Sequence, residues 1–261
     1  MDLNLAMKYA QNAAIASREI LTNYFGKLSN VEKKHLAGLV SEADKESEAA
    51  IIKELKPFGV AILGEEGAFD SEDDEVFRKG ETRWLIDPLD GTTNYVHGFP
   101  VFCTSIALQV EGKVVLSLIE APLMNKKYTA IKGQGAFCNQ KKINVSSANK
   151  IEDSLVATGF FAENPQALKK QLSIFTQIIE KSRGVRRVGA AAFDLCMVAE
   201  GIFDVFWEEN LQPWDTAAGY LLVQEAGGMV TDYNNQEFVP ESKNIIATNK
   251  KLHPEILSYF T

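Results

Sequence analysis

Residues 84–100 read WLIDPLDGTTNYVHGFP, and the reading of the whole chain turns on them. Three apolar residues lead into Asp87, as at the end of a buried strand. Pro88 fixes its own φ and pushes the residue before it into an extended shape. The expectation is that the chain then turns at once, so that Asp87 and Asp90 point into one space with the Leu89 carbonyl between them. Two carboxylates and a carbonyl are hard oxygen donors suited to Mg²⁺. Gly91 lets the backbone come close to a ligand. A helix starting at Thr92 would add N–H groups that favour an anion such as phosphate. The plain alternative is an Asp-Pro turn followed by an N-capping aspartate with nothing bound, and such turns are common.

Three other acidic segments shift the balance. GEEG (64–67) sets Glu65 and Glu66 directly after the apolar strand VAIL. Adjacent acids cannot both face one point, so one is the ligand and the other supports it. LVSEADKE (39–46) sets Asp44 at the start of a helix, and PWDTAAG (213–219) does the same for Asp215. Taken alone, Asp44 reads as a surface acid of a first helical turn and Asp215 as an N-cap. Four carboxylates gathered without cations would repel one another and raise each other's pKa. About two or three Mg²⁺ ions would remove that conflict, admit a phosphate dianion and activate a water.

The rest of the chain sets bounds. Its 261 residues are 46% hydrophobic and 24% charged, as in an ordinary globular protein, and suffice for one large domain or two packed lobes. No apolar run reaches the length that spans a bilayer. The first residues lack a basic leader and are broken by polar ones at helical spacing, which points to the cytoplasm. The three cysteines are widely spaced, without metal-binding or redox spacing, and read as reduced. A net charge of −8 disfavours nucleic acid, the nearest basic stretch being RGVRRVG at 183–189.

Periodicity predicts helices over 3–25, 42–56, 165–181, 190–201 and 215–228, with a terminal one at 251–260. It predicts strands at 60–64, 84–87, 101–110, 113–122, 154–160, 203–209, 228–233 and 244–249, and a hairpin pair over 127–143. Glu111-Gly112 makes a tight turn, and the acidic 66–80 stretch reads as a surface loop.

These motifs together resemble the inositol monophosphatase family of Mg²⁺-dependent, lithium-sensitive phosphatases, its bacterial members most closely. WLIDPLDGTTNYVHGFP is similar to the family's first signature and PWDTAAGYLLVQEAGG to its second. GEEG and LVSEADKE match the remaining metal-site segments, so the likeness covers essentially the whole chain. It implies an α+β fold, a layered α-β-α-β-α sandwich forming one domain over 1–261, with lobes near 1–147 and 148–261. It implies a homodimer. It also implies that Glu65, Asp87, the Leu89 carbonyl, Asp90 and Asp215 hold the metals, and that Asp44 and Thr92 orient the water ligands. Glu65 and Thr92 would help activate the attacking water, and the Gly91 and Thr92 amides would receive the phosphate. Lys33, eleven residues before Asp44, matches a lysine near the metal site. Glu208 matches a sugar-hydroxyl contact, and Gly189, Ala190 and Ala191 match the loop lining the substrate pocket.

Two departures stand out. Asp194 is typical of bacterial members but not of every branch of the family. The pocket loop reads GAAA where many members carry a hydroxyl after the glycine, which leaves the sugar open. The implied activity is hydrolysis of myo-inositol 1-phosphate or a similar polyol phosphate. Fructose 1,6-bisphosphate or NADP are alternative substrates, and a regulatory protein keeping the fold is the competing class. Ser105 and Ser154 lack a serine-hydrolase context, and His97 reads as local packing.

Overall fold

The computed structural model describes residues 1–33, 39–67 and 82–260. The expected acidic loop at 66–80 falls almost wholly outside them. Five layers stack in the order helix, sheet, helix, sheet, helix. The outer pair is α1 (Leu3–Tyr24) and α2 (Glu42–Leu55). Asp2 caps α1 by accepting from the amides of Asn4 and Leu5. Its inward face is Ala6, Ala10, Ala13 and Ala14, side chains small enough for close packing on a sheet. A short antiparallel pair that periodicity did not announce, β1 (Val31–Lys33) and β2 (Leu39–Ser41), precedes α2.

Beneath lies a sheet of seven strands in sequential order: β3 (Ala61–Gly64), β4 (Arg83–Asp90), β5 (Cys103–Val110), β6 (Lys113–Ala121), β7 (Lys126–Ile131), β8 (Ala136–Cys138) and β9 (Lys141–Ile143). Only β3 and β4 run parallel; the rest are antiparallel. Glu111 and Gly112 both take positive φ, 49° and 78°, which suits the tight β5–β6 turn. Both faces of this sheet are covered, so its strands read as nearly continuous apolar runs. Trp84, Ile86, Ile106 and Leu108 pack against α1 and α2, while Leu85 and Ala107 face the opposite way.

That opposite face meets the central helices, α5 (Ala191–Ala199) and α6 (Pro213–Glu225). Both are buried nearly all round. Ser105 and Ser117 hydroxyls donate to the Trp214 and Ala218 carbonyls and dock α6 on the sheet. Gly219 lets the two helices touch, since a Cβ there would lie 2.6 Å from Leu195 Cβ. Below them is a five-stranded sheet in the order β11 (Gly184–Arg186), β10 (Leu155–Thr158), β12 (Val205–Glu209), β14 (Asn244–Thr248), β13 (Met229–Thr231). Phe206 and Ala247 point up to the central helices. Val205, Trp207 and Ile246 point down to the last layer, α4 (Pro165–Ile179) and α7 (His253–Leu257). One short helix remains, α3 (Thr92–Val96), just past β4.

Several boundaries differ from periodicity alone. The strand expected to begin at Val101 begins at Cys103, because the Val101 amide bonds back to Phe99 in a turn. The 228–233 strand stops at Thr231, where Asp232 accepts from the amides of Asn234 and Gln236 and bends the chain.

The important difference is in β4. It does not end at Asp87 but runs through Pro88 to Asp90. Asp87 pairs with Ser105 and Asp90 with Cys103, so three steps on β4 match two on β5. Regular alternation would send residues three apart to opposite faces. The one-residue bulge cancels that and turns both aspartates toward α5 and α6.

Candidate active site

The bulge opens onto a small, open cleft of about 180 Å³. Its walls come from the ends of strands and the starts of helices. Glu65 follows β3, and its amide bonds Ile86 O at 3.2 Å, prolonging the parallel pairing. Asp87, Leu89 and Asp90 come from β4, and Gly91 and Thr92 from the step into α3. Gly189, Ala190 and Ala191 lead into α5, Glu208 stands next to the end of β12 and Asp215 is in the first turn of α6. All of these sequence-derived candidates line the one cleft.

Asp44 and Glu66 are not part of its lining, and Lys33 stands where no side chain is described. Asp44 is fully buried at the third position of α2, where its carboxylate accepts from the Ser41 amide and hydroxyl. It stands in the first helical turn, as read, and completes a capping box, but it is no surface acid. Its other oxygen lies 3.1 Å from the Thr92 hydroxyl, which is also 3.1 Å from Leu89 O. Glu66 turns its amide to Glu48 at 3.0 Å, and its side chain is not part of the lining. Lys33 ends β1, and its side chain lies outside the described part of the structure.

Each acid has a local reason for its orientation. Asp87 accepts from the Leu89 amide at 2.9 Å across the proline. Asp90 reaches the start of α5, where its carboxylate accepts from the amides of Ala191, Ala192 and Phe193 at 3.1, 2.8 and 3.3 Å. Ala190, the N-cap of that helix, has no polar side chain, so Asp90 supplies the missing cap from another element. Asp215 accepts from the Gln212 amide at 2.7 Å in a capping box. Gly91 has φ 94°, and a Cβ there would meet Val101 O at 3.1 Å and Ala190 Cβ at 3.2 Å. The glycine thus lets the β4–α3 step approach the α5 loop.

Electrostatics match this crowding. Burial, then the carboxylates of Glu65, Asp90 and Asp215, push Asp87 well above the usual carboxylate range. Burial and Glu65 push Asp215 up as well, with partial relief from the Gln212 amide. Burial raises Asp90 too, but the amides of α5 restrain it to about 6. Burial lifts Glu208 to about 7, with Arg187 opposing.

The donor set suits a hard divalent cation: carboxylates and a carbonyl, with no His or Cys in the lining. Like charges that have raised one another's pKa are the state a cation would relieve. Among the described residues no three such side chains already form a closed cage. The acids ring the cleft, and several are turned toward helix amides.

Two lining residues escaped the sequence reading, Arg187 and Leu211. Arg187 sits in the basic stretch that had been weighed only against nucleic acid. Its guanidinium occupies the space a Cβ on Gly189 would need, and Gly189 has φ 86°. Asn94 pins this rim by donating to Val101 O and Val188 O at 2.8 and 2.9 Å. Asp194, read only as a mark of lineage, is buried under the pocket. Its Oδ1 has no hydrogen-bond partner among the described residues, and burial pushes its pKa well up.

The layering and the acid-lined cleft define an α+β sandwich of the α-β-α-β-α type. The family profile of the inositol monophosphatases matches residues 2–261, and the chain belongs to that family. It is 39% identical to "Phosphatase IMPL1, chloroplastic" of Arabidopsis thaliana, over 96% of this chain and 68% of that one. It is 37% identical to "Nus factor SuhB" of Pseudomonas aeruginosa, over 98% and 94% of the two chains. It is 36% identical to "Inositol-1-monophosphatase" of Synechocystis, over 98% and 88%. Among solved structures it resembles the extragenic suppressor protein suhB of Bartonella henselae, with TM-score 0.89, 37% identity and 98% of each chain covered.

Proposed function

We propose that this protein is a Mg²⁺-dependent phosphomonoesterase acting on myo-inositol 1-phosphate or a similar polyol phosphate. The observation that carries the reading is the β4 bulge, which turns Asp87 and Asp90 to one face beside Glu65 and Asp215. In this reading Glu65, Asp87, Asp90, Asp215 and the Leu89 carbonyl hold the cation. When bound, Mg²⁺ supplies charge neutralisation and a water acidic enough to attack near neutral pH. Asp44 accepts a hydrogen bond from the Thr92 hydroxyl, which leaves a Thr92 Oγ lone pair to accept one from the attacking water, and Glu65 would be the base that takes that water's proton. Gly91 and Thr92 amides receive the phosphate. Glu208 accepts hydroxyls of the leaving polyol beside Gly189, Ala190 and Ala191. Lys33 and Glu66 are assigned to the margin of the site, and the active molecule to a cytoplasmic homodimer.

The family match and the relative named as an inositol-1-monophosphatase support the reading. A solved relative, 25% identical, is described as an "IMPase/NADP phosphatase" complexed with NADP and Ca²⁺. It supports a divalent cation and keeps NADP among the substrates to be tried. Phosphate release should be measured with and without Mg²⁺ from inositol 1-phosphate, 2′-AMP, fructose 1,6-bisphosphate, histidinol phosphate and NADP. Mg²⁺-dependent release led by inositol 1-phosphate supports the proposal. Release led by the bisphosphate or NADP moves the substrate but keeps the chemistry, and no release from folded protein defeats it.

A second reading, a regulatory protein that binds a partner, has its support in the relative named Nus factor SuhB. Asp90→Asn separates the two: hydrolysis would be lost while a surface-mediated role stayed intact.

A further inference from the structure

Glu48 has no place in the site described so far. It is 7% exposed, yet its carboxylate reaches across to the turn that carries Glu65. Oε1 accepts from the amides of Glu66 and Gly67 at 3.0 and 3.3 Å. A Cβ on Gly64 would overlap that carboxylate and would also lie 3.1 Å from Ile86 Cγ1. The glycine at 64 therefore makes room for Glu48. Glu65 is gripped on both sides: its own amide bonds Ile86 O, and the next two amides bond Glu48.

Glu48 does not act alone on its helix. Residues 44, 47 and 48 stand at i, i+3 and i+4 and share one face of α2. Asp44 meets the Thr92 hydroxyl. The Ser47 hydroxyl reaches Pro88 O at 3.3 Å, at the bulge itself. Glu48 meets the Glu65 turn. One buried polar helix face thus touches both the 88–92 segment and the Glu65 turn.

We infer that Glu48 is a positioning residue that fixes the Glu65 turn against β4, and so sets the cleft's capacity for Mg²⁺. The inference rests on the proposed role of Glu65. Amides 66 and 67 bonded to one oxygen leave the turn few alternative shapes. Without that acceptor, Glu65 would sample several orientations and bind a cation in only a fraction of them. Groups that orient metal ligands change affinity or activity by about 10–100-fold when removed.

The test uses the full chain with Glu48→Ala, Glu48→Gln and Gly64→Ala. Three quantities are read: Mg²⁺ affinity by calorimetry, kcat and KM for inositol 1-phosphate, and the melting temperature in EDTA. Glu48→Ala should weaken Mg²⁺ binding and lower kcat by about tenfold or more, with KM within about twofold. Glu48→Gln keeps a carbonyl oxygen for the two amides and should recover most of both. Gly64→Ala leaves Glu48 in the sequence but displaces its carboxylate, and should reproduce the Glu48→Ala defect. Unchanged Mg²⁺ affinity and kcat in Glu48→Ala, with only a lower melting temperature, would overturn the inference. Glu48→Gln as impaired as Glu48→Ala would overturn the acceptor role. If the wild-type protein binds no Mg²⁺, the reading of the site fails first and this inference with it, whereas a binding-competent wild type with an indifferent Glu48→Ala sinks Glu48 alone.

Discussion

Asp90 Oδ2 accepts a 2.8 Å hydrogen bond from the amide of Ala192, a residue 102 positions further along the chain. With the bonds from Ala191 and Phe193, this makes a β4 side chain the N-terminal cap of α5. The same carboxylate lines the cleft, so the cap and the site are one group. A polar residue at position 190 would compete for those amides, which is consistent with an alanine there.

Replacing Asp90 therefore separates two effects. Asp90→Asn keeps one acceptor for α5 but removes the charge, and phosphate release should fall about 100-fold with the far-ultraviolet circular dichroism unchanged. Asp90→Ala also strips the cap and should cost a further 1–2 kcal/mol, roughly, in urea unfolding. Equal stability of the two variants would show that the amides find another acceptor.

Thr92 gives a finer test. Its hydroxyl lies 3.1 Å from both Asp44 Oδ1 and Leu89 O. Thr92→Val preserves shape and removes the hydroxyl, and kcat should drop about 100-fold, the usual scale for a proton-relay group. Thr92→Ser should retain most of the rate. A Val variant with wild-type kcat in steady-state assays would remove Thr92 from the chemistry.

The acids make the metal-free protein pH-sensitive in a definite direction. Burial raises Glu208 from an ordinary 4.5 to about 7 in the folded protein, and Asp90 from an ordinary 3.8 to about 6. Between these limits the folded chain holds protons that the unfolded chain has released. Stability in EDTA should thus be greatest near and below about pH 4.5 as far as these groups decide it, and should be lost as pH rises through about 7. Melting scans from pH 5 to 8 would check this, and Glu208→Gln should flatten the upper part of the decline. A melting temperature that climbs over that interval would contradict the assignment.

Gly159 sits against Glu208 so closely that a Cβ would overlap the carboxylate. Gly159→Ala should push Glu208 off its position without altering any acid. If Glu208 holds a polyol hydroxyl, KM for inositol 1-phosphate should rise by about tenfold, the loss of a hydrogen bond to a charged group. The rate with a simple aryl phosphate, which has no such hydroxyl, should change little. A parallel loss on both substrates would point to general damage instead.

Much of the fold was legible because local patterns carried it. The alanine face of α1, the Gly and Pro punctuation, and the apolar runs of β4, β5 and β6 each follow from period and burial. Elements failed at their edges, where one hydrogen bond decides: the turn at Val101 and the bend at Asp232. The lining acids were legible as residue types at element ends. Arg187 and Leu211 were not, because neither stands in a motif whose chemistry announces it. Glu48 was hidden for the same reason, one acid among several on an exposed-looking helix.

By itself, the sequence determined which residue types stand at the ends of which elements: acids after β3 and at the end of β4, acids opening α2 and α6, and a glycine where β4 gives way to α3. Those are local facts, set by side-chain chemistry and backbone preference within a few residues. Only the tertiary structure decided that Asp87 and Asp90 share a face, because that depends on β4's register against β5. Only it decided that Asp90 caps α5, and that one face of α2 holds Thr92, Pro88 and the Glu65 turn. Such contacts join residues tens of positions apart, and their geometry is set by how the layers pack, which no local stretch of chain contains.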